Sequence, residues 1–232
     1  MKDVLLYHGS RGGIDGTIEP ISRVRCDFGR GFYMGENAEQ AKSLVSEDVS
    51  PVFYTLKFRI SEIPEDKILY LKGQDWIYAV LANRKKCQEF NDLKLAENIL
   101  DKMGKYDVIV GSIADDRMNE AMQRFSDYAL TDRGLQACLQ SVNYGLQYVA
   151  KSKFACSKID IISERPIYGK EADDIRKYTI QKRAESRNVV RQAAIKYQRQ
   201  GEYLNEIIEK ELLKEKQILE ERKQMLYEWD RI

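Results

Sequence analysis

The sequence predicts an α+β fold with a helical, coiled-coil-like extension, and three observations carry that expectation. Over residues 1–165, segments with a two-residue apolar period and segments with a helical period both occur. They do not alternate in a steady βαβ rhythm, which argues against a doubly wound parallel sheet. From about Glu171 the composition changes: no proline follows Pro166, and the only glycine after Gly169 is Gly201. A chain of 232 residues is long enough for one substantial domain plus an appendage. The expected division is a mixed domain over 1–165 and a charged helical tail over 166–232.

Residues 3–8 open as a strand whose apolar run, Val4 to Tyr7, ends at His8. A loop over 11–27 leads to a second strand over 30–34. Asn37 is placed to cap a helix over Ala38–Ser46, since its short side-chain oxygen can accept a free N–H of the first turn. Pro51–Ile60 alternates, with Val52, Tyr54, Leu56 and Phe58 on one face, and reads as a strand. Ile68–Leu71 is a short strand or a turn, Asp75–Lys86 and Leu93–Met103 are helices, and Tyr106–Gly111 is a buried strand. Asp115 caps a helix running to about Ala129, and Thr131-Asp132 caps another at Leu135–Val142. Gln147–Lys151 and Ile159–Ser163 are the last strands.

In the tail, Val190, Ala194, Tyr197, Leu204, Ile208, Leu212, Leu219 and Leu226 recur near helical spacing. Ile208 to Leu226 steps by four, seven and seven residues, which suits a narrow helical seam. Between Arg176 and Arg199 lie eight basic residues and one acid, Glu185, whereas from Glu202 onward nine acids face six bases. Four readings follow: two solvated helices, able to form a hairpin turned near Gly201 whose halves attract, a helix facing nucleic acid, an arm that docks a protein partner or antitoxin or joins copies of the chain, or a simple cover for the domain.

The net charge of +1 excludes a globally basic nucleic-acid binder. The four cysteines, Cys26, Cys87, Cys138 and Cys156, have no C-x-x-C spacing, and with one histidine they offer no zinc cluster. They read as buried thiols of a reducing compartment. The apolar part of the N-terminus is too short for a signal peptide, and no 18-residue apolar run predicts a membrane span. The expected location is the cytoplasm.

The functional signal lies in LLYHGSRGGIDGTIEPISRVRCDFGRGFYMG, residues 5–35. His8, the only histidine, is followed by Gly9-Ser10, and Asp27-Phe28-Gly29-Arg30-Gly31-Phe32-Tyr33 interleaves glycine with aromatics. Each half reads as a strand end beside a Gly-rich loop, where the lack of a Cβ lets a ligand approach the backbone. Together these motifs resemble the ADP-ribosyltransferase superfamily of the poly(ADP-ribose) polymerase, or diphtheria-toxin-like, type. The H-G-S signature is matched by His8-Gly9-Ser10 and F-G-x-G-[IF]-Y by Phe28 to Tyr33. The chain is closer still to a bacterial toxin-like domain family with Y-H-G-S, D-F-G-x-G-F-Y, a following Q-A and Q-Y-V, the Q-A being Gln40-Ala41. The third signature, a glutamate in the polymerases, corresponds to Gln147 in Leu146-Gln147-Tyr148-Val149.

The resemblance covers about two-thirds of the chain and implies a split, two-sheet core with NAD in the cleft between the sheets. It implies a catalytic triad of His8, Tyr33 and Gln147. His8 would bond a ribose hydroxyl, Gly9 and Ser10 the carboxamide side, and Tyr33 would stack on the nicotinamide ring. Phe28, Gly31 and Phe32 complete the expected NAD-binding set. Arg23 and Arg25 are either solvated charge or a clamp for the pyrophosphate, since guanidinium pairs well with phosphate oxygens. Asp115 and Asp116 are either a helix cap or part of the cleft, where the bacterial family also carries A-D-D. Two positions depart from the polymerases: Ala41 stands where they have a serine, and Leu44 where they have a second stacking aromatic.

The function implied is a mono-ADP-ribosyltransferase that uses NAD, without a metal, to modify a macromolecular acceptor. Its expected setting is a bacterial or phage toxin–antitoxin pair with a small helical antitoxin. The alternatives are an NAD hydrolase or a non-catalytic nucleotide-binding protein whose helical tail scaffolds an assembly.

Overall fold

The computed structural model describes residues 2–113, 118–141 and 145–229. Seven strands are β1 (Val4–Ser10), β2 (Phe32–Gly35), β3 (Val52–Phe58), β4 (Ile68–Leu71), β5 (Val108–Ser112), β6 (Leu146–Ala150) and β7 (Ile159–Pro166). They form one mixed sheet in the order β4-β5-β6-β2-β1-β3-β7. Only β4 and β5 run parallel; the other neighbours are antiparallel. The helices are α1 (Ala38–Ser43), α2 (Gly73–Arg84), α3 (Gln88–Asn91), α4 (Lys94–Gly104), α5 (Met118–Ser126), α6 (Asp132–Ser141), α7 (Lys153–Cys156), α8 (Gly169–Tyr197) and α9 (Leu204–Trp229). The α+β class holds.

The sheet is joined across its middle at one point. β1 pairs with β3 along its whole length, from Val4↔Phe58 to Ser10↔Val52, and β2 pairs with β6 from Phe32↔Ala150 to Gly35↔Gln147. Between these halves β1 meets β2 only at Tyr7↔Gly35. In place of two sheets there is one, whose halves β4-β5-β6-β2 and β1-β3-β7 share a single register pair.

Alternation along the strands sets the two faces. Leu6, Phe32, Met34, Tyr54, Leu56, Phe58, Val108, Val110 and Tyr148 build the core of one face. Ile109 and Val149 point the other way, onto Trp76, Ile77, Val80 and Leu81 of α2 and onto Met118, Met122 and Phe125 of α5. A third cluster joins α1 to the start of α8 through Ala41, Val45, Phe53, Ala172 and Ile175. The expected caps are present: Asn37 Oδ1 accepts from Gln40 N at 3.0 Å, and Thr131 Oγ1 accepts from Gly134 N at 3.1 Å. Asp115 and Asp116 lie outside the described residues.

Packing does not follow the expected boundary at 165 and 166. Val190 and Ala193 of α8 and Leu204, Ile207 and Ile208 of α9 belong to the same apolar cluster as Trp76 and Phe125. The antiparallel hairpin does not form either. α8 lies along α6 and touches α1 and α5, and among the described residues it does not run paired alongside α9. The turn is fixed by Asp132, whose Oδ1 accepts from Glu202 N at 2.8 Å and whose own N–H donates to Glu202 O at 2.9 Å. Gly201 has φ +80° there, and a Cβ would run into Asp132 and Arg133, so glycine is required. Further on, Glu215 Oε1 accepts from Lys94 N at 2.7 Å, capping α4, whose preceding residue Leu93 has no side chain to do so.

Candidate active site

The site forms where β1 and β2 part. Beyond Tyr7 and Gly35 the two strands no longer pair. The half-buried His8 ring turns into that gap, and its Nδ1 lies 2.7 Å from the main-chain carbonyl oxygen of Tyr33. A carbonyl only accepts, so Nδ1 carries the hydrogen and Nε2 keeps its lone pair. Burial pushes the imidazole below its ordinary value, and the bond to Tyr33 opposes this. Phe32 packs on the ring, with centroids 4.5 Å apart.

Tyr33 ties β2 to the loop before it. Its hydroxyl donates to Gly29 O at 2.7 Å and accepts from Phe28 N at 3.0 Å. Burial, and then the charge of Asp27, hold the phenol far above its ordinary value, so it stays a donor. Lys151 reaches the same loop and donates from Nζ to Phe28 O at 2.5 Å. Burial pulls the Lys151 amine down to about 8.

Gln147 is buried on β6, on the same face as Tyr33. Its Nε2 donates to Asp27 Oδ2 at 3.1 Å and to Ser112 O at 3.0 Å. Both partners are acceptors, which orients the amide with its nitrogen toward them. The other Asp27 oxygen is held by Arg84, with Nε at 2.7 Å, and Arg84 also reaches Asn119 Oδ1 at 2.5 Å. His8, Tyr33 and Gln147 are linked indirectly, partly by hydrogen bonds and partly along the chain: His8 bonds the Tyr33 backbone, the Tyr33 hydroxyl bonds Phe28 N, and Asp27, next to Phe28 in the chain, bonds Gln147.

The expected NAD-binding residues fall into two groups. Phe28 belongs to the core group. Its ring is fully buried against Trp76 and Gly111, so only its backbone belongs to the site. Gly9 and Gly31 are required by packing. A Cβ on Gly9 would run into the Ala41 carbonyl of α1, and one on Gly31 would stand 2.5 Å from Val149 Cγ1. The side-chain space that these glycines leave is therefore filled by protein. Ser10 Oγ donates to Gly13 O at 2.8 Å and closes the first loop. Phe32 is buried beneath His8, while Arg23 and Arg25 are exposed, Arg25 with φ +67°. Ala41 is buried under Gly9 and Leu44 is exposed.

Sequence reading missed three contributors: Asp27 as the partner of Gln147, Arg84 as the counter-charge, and Lys151 on the loop. Asp27 stands inside the recognised motif, and an acid beside the aromatic pair was the available signal. Arg84 and Lys151 carry no local one.

A family model described as a protein of unknown function (DUF3990) matches residues 4–161. The chain belongs to the DUF3990 family. No curated protein and no solved structure matches it. The DUF3990 region runs from the start of β1 into β7 and contains His8, Tyr33 and Gln147; α8 and α9 lie beyond it. Among the described residues of this DUF3990 protein, no group of three or more His, Cys, Asp or Glu side chains is placed to hold a metal ion. No helix among the described residues is long and apolar enough to cross a membrane. Cys87, Cys138 and Cys156 are buried and Cys26 is half-buried, and none of them forms a disulfide among the described residues.

Proposed function

We propose that this protein is a mono-ADP-ribosyltransferase that takes NAD as donor and modifies a macromolecular acceptor, as the toxin of a toxin–antitoxin pair. One observation carries the reading. The three residues singled out by resemblance, far apart in sequence, lie on the neighbouring strands β1, β2 and β6 around the gap between β1 and β2, with His8 bonded to the Tyr33 backbone and Gln147 bonded to Asp27 of the loop that the Tyr33 hydroxyl holds. The ADP-ribosyltransferase-like split core belongs to the same reading, supported by the single register pair between the sheet halves.

In the reaction the bond between nicotinamide and ribose breaks, and its electron pair leaves with nicotinamide. A nucleophilic atom of the acceptor bonds to the ribose carbon and gives up its proton. Positive charge develops on the ribose, and the protein must hold that ring and favour the charge. His8 suits the first task, because Nε2 is a neutral acceptor for a ribose hydroxyl. Gln147 offers Oε1 as a second acceptor, and its donor end is held by the carboxylate of Asp27. A neutral amide contributes less than a glutamate, because a charge-assisted hydrogen bond is about twice as strong. Single transfer fits this better than chain elongation. The exposed Arg23 and Arg25 suit the pyrophosphate.

The test is nicotinamide release from NAD by the purified chain, with and without cell lysate, beside His8→Ala. Release that needs both lysate and His8 supports transfer. Release without lysate points to hydrolysis. NAD binding without release, read by calorimetry, replaces the proposal with a non-catalytic binder.

A further inference from the structure

Among the described residues, the far end of α9 stands open to solvent. Every residue from Lys216 to Leu226 is exposed. Leu212, Ile218, Leu219, Met225 and Leu226 leave 43–66% of their surface in water. A free helix of this length is marginal in water unless an apolar face is covered. The charge and apolar pattern of this segment says what covers it.

At about 100° per residue, two oblique rows of side chains share one face. The first is Leu212, Glu215, Ile218; the second is Leu219, Arg222, Met225. Both rows have the same spacing and the same order, apolar, charged, apolar, but the sign of the charge is reversed. A two-fold axis across the helix between residues 218 and 219 carries one row onto the other.

We propose that this face pairs antiparallel with the same face of a second copy of the chain. Leu212 of one copy then meets Met225 of the other, Ile218 meets Leu219, and Glu215 meets Arg222, each contact occurring twice, as an isologous interface requires. The outer Leu226 extends the apolar seam. Glu215 is able to serve both partners: Oε1 accepts from Lys94 N, and Oε2 is left for the arginine. On the flanks Lys216 falls opposite Glu221, while Lys214 falls opposite Lys223, an unfavourable pair at an edge open to salt and water. A parallel pair would set Glu215 against Glu215 and Arg222 against Arg222 in the seam, so charge selects the antiparallel arrangement. The seam spans about 22 Å of helix and buries less than a standard interface, so the dimer should dissociate in the micromolar range, on the order of tens of micromolar.

The test is sedimentation equilibrium of the full chain from about 5 to 500 μM, and it does not depend on any activity. Wild type should pass from monomer to dimer. Glu215→Lys alone and Arg222→Glu alone each set like charges together twice, and each should weaken the dimer at least about tenfold. An equimolar mixture of the two variants should recover wild-type association, because every cross pair is then opposite in charge. Unchanged circular dichroism of the variants excludes a loss of fold. A chain monomeric throughout the range, a dimer indifferent to either variant, or a mixture that stays dissociated overturns the proposal. A mixture that associates far more tightly than wild type also overturns it, since that is the signature of a parallel pair.

Discussion

The side-chain nitrogen of Gln147 lies 3.1 Å from Oδ2 of Asp27, and that contact explains why the position holds an amide. A glutamate would place a second carboxylate against Asp27 and against the carbonyl of Ser112, both of which need a donor. Gln147→Glu should therefore destabilise the fold by about 1–3 kcal/mol, the usual cost of leaving buried polar groups unsatisfied. Adding Asp27→Asn should restore much of the loss, since the second amide can donate. Denaturant unfolding of the single and double variants measures the coupling. Additive losses would mean that the two side chains do not interact.

Phe28 is a core residue, and its replacement should act on stability before it acts on any ligand. Phe28→Ala should cost about 3–5 kcal/mol, as for other fully buried aromatics. Loss of NAD binding with unchanged unfolding would return Phe28 to the ligand-contacting set.

The chain has a single histidine, so its ring gives one titrating C2 proton signal. That signal should titrate below 6.5, because burial disfavours the charged ring, and nitrogen shifts should report hydrogen on Nδ1. The linkage has a definite sign. As pH falls through 6.5 the unfolded chain takes up a proton that the folded ring refuses, so the stability linked to His8 declines on acidification. A His8→Gln variant should lack that part of the decline. A midpoint above 6.5 would contradict the buried neutral ring.

Lys151 should leave its mark at alkaline pH. Its amine titrates at about 8 in the folded chain against 10.5 ordinarily. Between those values the unfolded chain holds a proton that the folded chain has released, so stability linked to this group rises with pH across the window. The difference in unfolding free energy between wild type and Lys151→Gln should grow in favour of wild type from pH 8 to 10. A flat difference would place the amine in water.

The strands and their caps were legible because they are local. The alternation of Tyr54, Leu56 and Phe58, the cap at Asn37 and the paired apolar and glycine motifs all lie within a few residues of one another. His8, Tyr33 and Gln147 could be named only through resemblance, and they lie on neighbouring strands linked indirectly through the Tyr33 backbone and Asp27. The Asp27–Arg84 and Asp27–Gln147 contacts were not legible, because they span 57 and 120 residues and leave no periodic trace. The glycines misled in an instructive way. A missing Cβ signals close approach, but a sequence does not say by what, and at Gly9 the approaching atom is the Ala41 carbonyl. In the tail, opposite charge suggested a hairpin, whereas the apolar side chains of Val190, Leu204, Ile207 and Ile208 fit the main cluster, in line with the reading of the tail as a cover for the domain.

Leu204, Ile207 and Ile208 also set a timetable for maturation. The ribosome releases a chain from its N-terminus onward, and domains begin to fold as they emerge. The apolar cluster around Trp76 and Phe125 is closed by residues 204 to 208, and the first turn of α4 is completed by Glu215. The sheet therefore leaves the tunnel with one greasy flank bare, and the His8 site rests on an unfinished scaffold until residues 204 to 215 follow it out. A nascent chain is thus held immature until that segment emerges, and one terminated before it would be an early substrate for quality-control proteases.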